Sequence, residues 1–211
     1  TSVILSVNNS LACEPLMIAG TEDQKKEWLT PMAKGQKIGC FGLTEPNSGS
    51  DCGSMKTNAV KKGNDWLING AKIWITCGTD SDTFIVFTST DAAAGNRGIT
   101  AFLMDRSTPG LSVLPMHGKM GIRASGLSEL VFEDVVIPDS QRLGEENKGF
   151  KIAMNTLNSG RIGIAAQAVG ISRGAFEESA KYAQQRVQFG KPISRQQSVA
   201  NHIADMAVQI D

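Results

Sequence analysis

The chain has 211 residues, and its 21 basic side chains balance 21 acidic ones to give a formal net charge of zero. A chain of this length can bury roughly 70% of the surface of its unfolded form, so size does not limit the fold. A balanced charge creates no overall field that would recruit nucleic acid or an anionic membrane. No apolar run approaches the ~18 to 20 residues of a membrane-spanning helix, and no charged-then-apolar signal opens the sequence. We therefore expect a soluble, intracellular protein without nucleic-acid or membrane partners.

The cysteines and histidines do not form a metal-site pattern. Cys13, Cys40, Cys52 and Cys77 lack C-x-x-C spacing, and the two histidines lie far apart in the sequence. We therefore expect no metal site, and we expect the thiols to be reduced and mostly buried, as in a reducing compartment.

Both ends of the sequence resemble the interior of a longer polypeptide. Residue 1 is Thr, and Val3-Ile4-Leu5 already has the character of a helix interior. At the other end, a helical period of apolar residues continues to Asp211 without a capping Gly, Pro or basic residue. We expect a fragment that lacks N- and C-terminal portions.

The opening of the chain is predicted to be helical. An apolar period covers residues 3–19, with an interruption at Cys13-Glu14-Pro15. Thr21-Glu22-Asp23-Gln24 is a capping box, and it begins a helix that Thr30-Pro31 should end or kink.

From Gly39 the pattern changes to short β-rich runs separated by turn signals. Because no helical pattern separates these runs, they predict an antiparallel sandwich or barrel rather than a doubly wound sheet. No G-x-G-x-x-G follows a strand and no P-loop is present, so a dinucleotide would not bind by the Rossmann route. The predicted strands are 39–43, 55–60, 66–69, 71–76, 83–90, 99–105, 111–116 and 129–137.

Two stretches of this region should present hydroxyls, small residues and one indole to a flat ligand. In the loop 44–50, Pro46 disfavours helix, and Gly49 lets backbone N–H groups approach a ligand. Asn69-Gly70 is a strong signal for a tight hairpin, whose returning strand would carry Trp74 at its end.

Past Pro138 the helical period returns. Apolar residues recur every three or four positions from Lys148 to Gln188, as in one long helix of a bundle. Ser194-Arg195-Gln196-Gln197 is another capping box, which should open a further helix. So few helices cannot close a bundle, which again indicates missing C-terminal sequence.

Specific motifs follow one another along nearly the whole chain. They are Leu43-Thr44-Glu45-Pro46, Gly49-Ser50-Asp51, Asn69-Gly70-x-Lys72-x-Trp74-Ile75-Thr76, Leu143-Gly144-Glu145, Gly149-Phe150, Asn158-Ser159-Gly160-Arg161, and Arg186-x-x-Phe189-Gly190 with Gln197. In this order and with these gaps they resemble the acyl-CoA dehydrogenase family, most of all its short-chain, butyryl-CoA branch.

The resemblance implies an α+β multidomain fold with a helical domain, an antiparallel β-barrel and a helical bundle. We expect the end of the helical domain at 1–37, the middle β domain at 38–140 and the truncated first part of the bundle at 141–211. The resemblance also implies FAD between barrel and bundle, a homotetramer, and a location in the bacterial cytoplasm or the mitochondrial matrix.

The implied reaction converts a short-chain acyl-CoA to trans-2-enoyl-CoA, and the electrons pass to electron-transfer flavoprotein. A proton leaves Cα of the thioester while a hydride leaves Cβ for the flavin, which requires a base, stabilisation of the thioester oxygen and a rigidly held flavin. By resemblance, Thr44 and Thr76 donate to the polar edge of the flavin ring, and Trp74 packs on an aromatic face. The full implied set for FAD is Phe41, Leu43, Thr44, Gly49, Ser50, Trp74, Ile75 and Thr76, with a second set, Arg186, Phe189 and Gln197, that reaches the cofactor of a neighbouring subunit.

Substrate contacts are implied for Ser50, Asn158, Ser159, Gly160 and Arg161. Arg161 is a lone charge in a small, apolar helix stretch, so its burial would require a partner, which is either the substrate or an active-site carboxylate, or else a structural ion pair. The family more often has Asp at the position of Asn158, and it tends to have Gly in the loop at Asn147.

The sequence contains no candidate for the catalytic base. Some branches of the family place a glutamate immediately before the arginine that matches Arg161, but Gly160 occupies that position here. In the majority branch the base lies in a C-terminal Tyr-Glu-Gly loop, which would follow Asp211. We expect Glu45 to fix its loop through backbone hydrogen bonds instead. Two alternatives to the dehydrogenase stay open. One is an acyl-CoA oxidase-like flavoenzyme with the same scaffold but a different fate for the electrons, and the other, because the base is missing, is a non-catalytic fragment for FAD binding or oligomerisation.

Overall fold

The computed structural model of the chain describes residues 2–211, with side chains from Val3 onward. α1 (Ser2–Val7) continues through a π-helical segment (Asn8–Cys13) into α2 (Glu14–Ala19). The predicted interruption at Cys13-Glu14-Pro15 is therefore wrong. Pro15 lies in the first turn of α2, directly after the π-helical segment, and the wider turn accommodates a residue that cannot donate a backbone hydrogen bond.

The next helical stretch comprises α3 (Glu22–Gln24), a second π-helical segment (Lys25–Leu29) and α4 (Thr30–Ala33). The predicted capping box is confirmed. Thr21 Oγ1 accepts a hydrogen bond from Gln24 N at 3.2 Å, and Gln24 Oε1 accepts one from Thr21 N at 3.1 Å. Pro31 lies in the first turn of α4, so the helix ends just beyond it, at Ala33.

Eight strands form one sheet. They are β1 (Gly39–Gly42), β2 (Asn58–Lys62), β3 (Asp65–Thr76), β4 (Thr83–Ser89), β5 (Ile99–Asp105), β6 (Leu111–Pro115), β7 (Leu127–Pro138) and β8 (Arg142–Leu143). The order is β6-β7-β3-β2-β4-β5-β8, and β1 also pairs with β4. The pairings are antiparallel except for β1 with β4 and a single β2–β4 pairing. The α+β fold class is confirmed, whereas the sequence pattern had not indicated the parallel pairings.

β3 is one continuous strand of 12 residues, and the hairpin predicted at Asn69-Gly70 is wrong. The reversal lies instead between β2 and β3, where Gly63 adopts φ +65°. Asn69 sits at a register shift against β7, and its side chain exchanges hydrogen bonds of 3.0 and 2.8 Å with Asp134. Gly70 adopts φ +139°, and a Cβ there would lie 2.6 Å from Thr57 Cα. The Asn-Gly pair therefore marks a bulge, which needs the same backbone freedom as a tight turn.

β4 is buried on both faces because its alternate residues belong to two different apolar clusters. Ile85 and Phe87 pack in a cluster with helical residues such as Leu16, whereas Phe84 and Val86 pack among residues of other strands. Burial of both faces explains the uninterrupted apolar run Phe84-Ile85-Val86-Phe87 within β4. The expectation of buried thiols is confirmed for Cys13, Cys40, Cys52 and Cys77.

The chain divides into two compact units, and the boundary lies between Gly160 and Arg161. The boundary falls within the predicted long helix, which is confirmed as α5 (Gly149–Gln185). The second unit also contains a hairpin and a last helix, which are β9 (Val187–Gln188), β10 (Lys191–Pro192) and α6 (Gln197–Ile210).

The capping box predicted at 194–197 is wrong. Ser194 lies in a short 3₁₀ turn, and α6 has Gln196 as its N-cap without a side-chain capping hydrogen bond. Of the helices in residues 2–211, none combines the length and the apolar character needed to cross a membrane.

Candidate functional site

The loop after β1, residues 43–51, is a compact turn held by its own backbone. Glu45 N donates to Ser48 O at 2.9 Å, and Ser48 N donates back to Glu45 O at 3.2 Å. Ser48 Oγ donates to Asp51 O at 2.8 Å. These bonds leave Gly49 and Ser50 exposed at the tip of the loop, where their backbone can meet a ligand.

The Glu45 carboxylate lies under this loop. It accepts hydrogen bonds from Lys56 N at 2.7 Å and from Thr57 N at 3.0 Å. The expectation that Glu45 fixes its loop through backbone hydrogen bonds is confirmed. Burial by itself raises the pKa of Glu45, but the Lys72 ammonium and the donated hydrogen bonds outweigh burial and hold the pKa below its ordinary value.

Lys72 is the partner of Glu45, and sequence reasoning had placed it in a motif without giving it a role. Its Nζ lies 2.8 Å from Glu45 Oε1 and donates to Leu43 O at 3.1 Å. Burial lowers the pKa of Lys72 to about 8, although the Glu45 carboxylate acts in the opposite direction. One feature of the sequence could have revealed the pair. Lys72 falls at an inward-facing position of a strand whose buried and exposed residues alternate, and a buried charge requires a partner.

A bulge in β3 follows Lys72 directly. Lys72 pairs with Leu130 of β7 and Ile75 pairs with Ser128, so Ile73 and Trp74 together oppose one residue of β7. Trp74 adopts φ +60° and its side chain is 58% exposed. Ile73 N donates to Thr44 O at 2.9 Å. This bond joins the loop 43–51 to the bulge, so the structure brings Thr44 and the strand segment of Trp74 together.

The residues at this junction fit a flat, polar-edged ligand such as a flavin. Thr44 and Thr76 are half-buried, and within residues 2–211 neither hydroxyl has an intramolecular hydrogen bond. Leu43 and Ile75 are buried in the core, so they can offer a ligand only backbone groups. Phe41 is half-buried against Phe87, with ring centroids 4.8 Å apart. The set thus combines two hydroxyls that are free to donate, the exposed indole of Trp74, and the packed ring of Phe41.

Of the residues predicted for the substrate, Ser50 is exposed in the loop 43–51, and the other four lie in α5 at the unit boundary. Asn158 is exposed, and Gly160 is buried next to Leu11. Ser159 Oγ donates to Glu14 Oε1 at 2.5 Å, a contact that sequence reasoning missed because 145 residues separate the partners. Asn158 and Arg161 both interact with other groups of the chain.

The second set predicted for FAD lies in the second unit. Phe189 and Gly190 form the two-residue turn of the β9–β10 hairpin, with φ +52° and +73°, as a type I′ turn requires. Phe189 is 92% exposed. Arg186 and Gln197 flank the hairpin, and both are exposed. The hairpin therefore presents an aromatic ring and a guanidinium outward.

Asn147 lies in the loop where the resemblance implies glycine, and its backbone conformation is one that glycine also adopts. It adopts φ +64°, a conformation that asparagine tolerates better than most residues. Its backbone N donates to Thr100 Oγ1 at 2.8 Å, and its Oδ1 accepts from Thr90 Oγ1 at 2.7 Å. The side chain thus offsets the backbone strain with a specific contact.

Comparison with known proteins agrees with this geometry. Three family models match consecutive parts of the chain: the acyl-CoA dehydrogenase N-terminal domain at residues 1–36, the middle domain at 40–135 and the C-terminal domain at 147–211. A short-chain specific acyl-CoA dehydrogenase of Clostridium acetobutylicum is 49% identical over 211 residues, which is 100% of this chain and 56% of the relative. The mitochondrial short-chain specific enzyme of Rattus norvegicus is 47% identical over 211 residues, which is 100% of this chain and 51% of the relative.

Solved structures give the same result. Butyryl-CoA dehydrogenase from Megasphaera elsdenii superposes with a TM-score of 0.96 at 49% identity, over 99% of this chain and 55% of that chain. A chain in a structure titled for the electron transferring flavoprotein of Acidaminococcus fermentans has a TM-score of 0.96 at 46% identity, over 99% and 55%. A glutaryl-CoA dehydrogenase from Mycobacterium smegmatis in complex with FADH2 has a TM-score of 0.92 at 40% identity, over 99% and 52%.

The chain spans about half the length of the curated relatives that it matches. Over that length it matches all three domain models in their order, and it carries the loop, the bulge and the hairpin described above. This chain therefore belongs to the acyl-CoA dehydrogenase family.

Proposed function

We propose that the protein carrying this chain is an FAD-dependent dehydrogenase that converts short, straight-chain acyl-CoA thioesters to trans-2-enoyl-CoA. Its electrons pass to an electron-transfer flavoprotein. The observation that carries the proposal is the 2.9 Å bond from Ile73 N to Thr44 O, because it assembles free hydroxyls and the Trp74 indole at one junction. The FADH2 complex of a 40% identical relative supports the choice of cofactor.

The residues of the first unit hold and polarise the flavin. A flavin held by these residues would supply the acceptor for the hydride that leaves Cβ of the substrate. Thr44 and Thr76 donate hydrogen bonds to the polar edge of the ring, where preorganised donors stabilise added negative charge. Trp74 covers an aromatic face, and the backbone of Gly49 and Ser50 approaches the cofactor. Phe41, Leu43 and Ile75 support this surface from the core side.

The residues of the second unit serve the cofactor of a neighbouring subunit in a homotetramer. Arg186 suits a pyrophosphate because its planar fork makes charge-assisted hydrogen bonds of about 1.5 to 3 kcal/mol each. Phe189 adds an exposed aromatic contact, and Gln197 adds an amide. We also propose the domain limits 1–37, 38–140 and 141–211.

The substrate thioester contacts Ser50 and the stretch Asn158–Arg161. Gly160 offers no side chain to abstract the Cα proton. We assign no base within this chain, and the base comes from a carboxylate outside it.

Anaerobic addition of butyryl-CoA to the purified full-length protein tests the proposal. We expect a visible flavin spectrum that butyryl-CoA bleaches at enzymatic rates, with slower bleaching by long-chain thioesters. Reoxidation should depend on added electron-transfer flavoprotein. A protein that copurifies with no flavin and binds none would contradict the proposal, and rapid oxygen consumption without an added acceptor would identify an oxidase instead.

A further inference from the structure

Glu45 and Lys72 form the most deeply buried ion pair among residues 2–211. The Lys72 side chain is fully buried and that of Glu45 is 5% exposed. Lys72 Nζ lies 2.8 Å from Glu45 Oε1, 3.1 Å from Leu43 O and 3.7 Å from Met55 Sδ. Each of its three N–H donors therefore has one partner, and the ammonium is held from three directions.

The pair joins segments that lie far apart in the sequence. Glu45 belongs to the loop 43–51 and also binds the backbone N–H groups of Lys56 and Thr57. Lys72 lies in β3, immediately before the bulge. Thr44 thus stands between the two loop residues that Lys72 contacts, and Trp74 follows Lys72 by two residues.

Stability alone does not explain the choice of a charged pair. Removing two charges from water carries a desolvation cost, and well-packed apolar residues at the same place often serve stability equally well or better. Charge-assisted hydrogen bonds differ from apolar packing because they set distance and direction. Direction matters at this junction, since Ile73 N to Thr44 O is the backbone bond that joins the loop to the bulge.

We propose that Glu45 and Lys72 are positioning residues that fix Thr44 relative to Trp74 and Thr76, and so set how tightly the protein holds oxidised and reduced flavin. This inference rests on the proposed function. Displacement of Thr44 from the polar edge of the ring weakens binding of the reduced flavin more than that of the oxidised form, because the reduced form carries the added charge.

The test uses E45Q, K72M and the double variant E45Q/K72M in the full-length protein. Gln and Met approximate the shapes of the native side chains without their charges. Each single variant leaves an unpaired buried group and should lower the urea midpoint of the apoprotein. The double variant should recover most of that midpoint, yet weaken the binding of oxidised FAD about tenfold. The affinity for reduced FAD should fall by a further factor of ten, which lowers the two-electron reduction potential of the bound flavin by about 30 mV.

The matched control is D139N/R142M, which removes an ion pair of 2.9 Å elsewhere in the first unit. We expect it to lower the urea midpoint and to leave the FAD dissociation constant and the potential unchanged. An E45Q/K72M protein with wild-type FAD affinity and potential would overturn the inference while leaving the proposed function intact. A wild-type protein that binds no FAD would overturn both. If the double variant does not fold, K72M alone gives the comparison, because Glu45 keeps its bonds from Lys56 N and Thr57 N while the bond from Lys72 to the loop is lost.

Discussion

At the scale of single residues, two exposed aromatic side chains stand on left-handed backbone. Trp74 has φ +60° and Phe189 has φ +52°, and their side chains are 58% and 92% exposed. Non-glycine residues in this region are uncommon, and such strain tends to persist at functional sites. Both residues belong to the sets that sequence motifs had assigned to FAD.

We predict that Trp74→Gly separates flavin binding from stability. Glycine relieves the left-handed strain, and this relief offsets the packing lost with a half-exposed indole, so the unfolding free energy of the apoprotein should change by less than about 1 kcal/mol. FAD affinity should fall about tenfold or more, because base-like rings gain about 1 to 3 kcal/mol from aromatic stacking. Urea unfolding and FAD fluorescence titration measure the two effects.

Ile122→Gly provides the control for this prediction. Ile122 has φ +53° and the same exposed fraction as Trp74, 58%, but it lies in a loop outside the flavin set. FAD affinity should be unchanged in this variant. Equal losses of affinity in the two variants would contradict a specific contact between the Trp74 indole and FAD.

Asp139 should give the protein a defined acid sensitivity. Hydrogen bonds from the Arg142 guanidinium and then from Trp66 Nε1 lower the pKa of Asp139 from 3.8 to about 2. Because the pKa is lower in the folded state, the carboxylate stabilises the fold fully above about pH 4, and this contribution is lost as pH falls toward 2. Asp139→Asn should therefore cost about 1 kcal/mol at pH 6 and progressively less below pH 4.

Urea unfolding of wild type and D139N across this pH range measures the difference. R142M should lose only part of the pH dependence, because Trp66 Nε1 still donates to Asp139, and D139N/R142M should add little to D139N alone. A difference between wild type and D139N that stays constant from pH 6 to pH 2 would contradict the assignment.

At the scale of elements, the sequence predicts most helices and strands but misplaces one turn. The capping box at Thr21 and the long helix α5 follow from local signals, and both are present. Asn69-Gly70 carries an equally strong local signal, yet it lies inside β3, because β7 pairs with both halves of that strand. A local motif such as Asn-Gly indicates only that the backbone can adopt an unusual conformation at that position. Long-range strand pairing then decides whether a turn or a bulge forms there.

This correction predicts a large cost for Gly70→Ala. Gly70 has φ +139°, and a Cβ there would lie 2.6 Å from Thr57 Cα, which is backbone and cannot rotate away. At Gly63, in the true turn, φ is +65° and no heavy atom lies within 4 Å of the added carbon. Gly63→Ala should therefore cost only the backbone strain, about 1 kcal/mol, and Gly70→Ala about 2 kcal/mol more. Equal costs in chemical denaturation would argue that β3 turns at Asn69-Gly70 after all.

At the scale of the whole molecule, the candidate site divides into what motifs reveal and what only contacts reveal. The residues that we propose to face a ligand, such as Thr44 and Trp74, fall within recognisable motifs. The sequence predicted that Glu45 fixes its loop, but it did not reveal the side-chain partners that lie far away along the chain. Lys72 meets Glu45 across 27 residues, and Glu14 meets Ser159 across 145. Positioning roles depend on the folded chain as a whole, and a single sequence does not encode them locally.

The missing base predicts which step of the proposed reaction residues 1–211 cannot perform by themselves. This chain, loaded with FAD, should bind butyryl-CoA but its flavin should not bleach, because we assign no base within the chain and Gly160 offers no side chain at the position where the resemblance implies one in some branches. Gly160→Glu should then introduce slow bleaching, with a rate at least 10²-fold above wild type, the lower end of what a positioned general base contributes. A Cβ at residue 160 would lie 3.1 Å from Leu11 Cδ2, and this flexible side chain can shift to admit it. Gly160→Gln, of equal size and without a base, should remain inactive in anaerobic stopped-flow absorbance. If the wild-type chain itself bleaches at enzymatic rates, the base lies within residues 1–211, and loss of that activity in Glu14→Gln would identify the carboxylate next to Ser159 as the source.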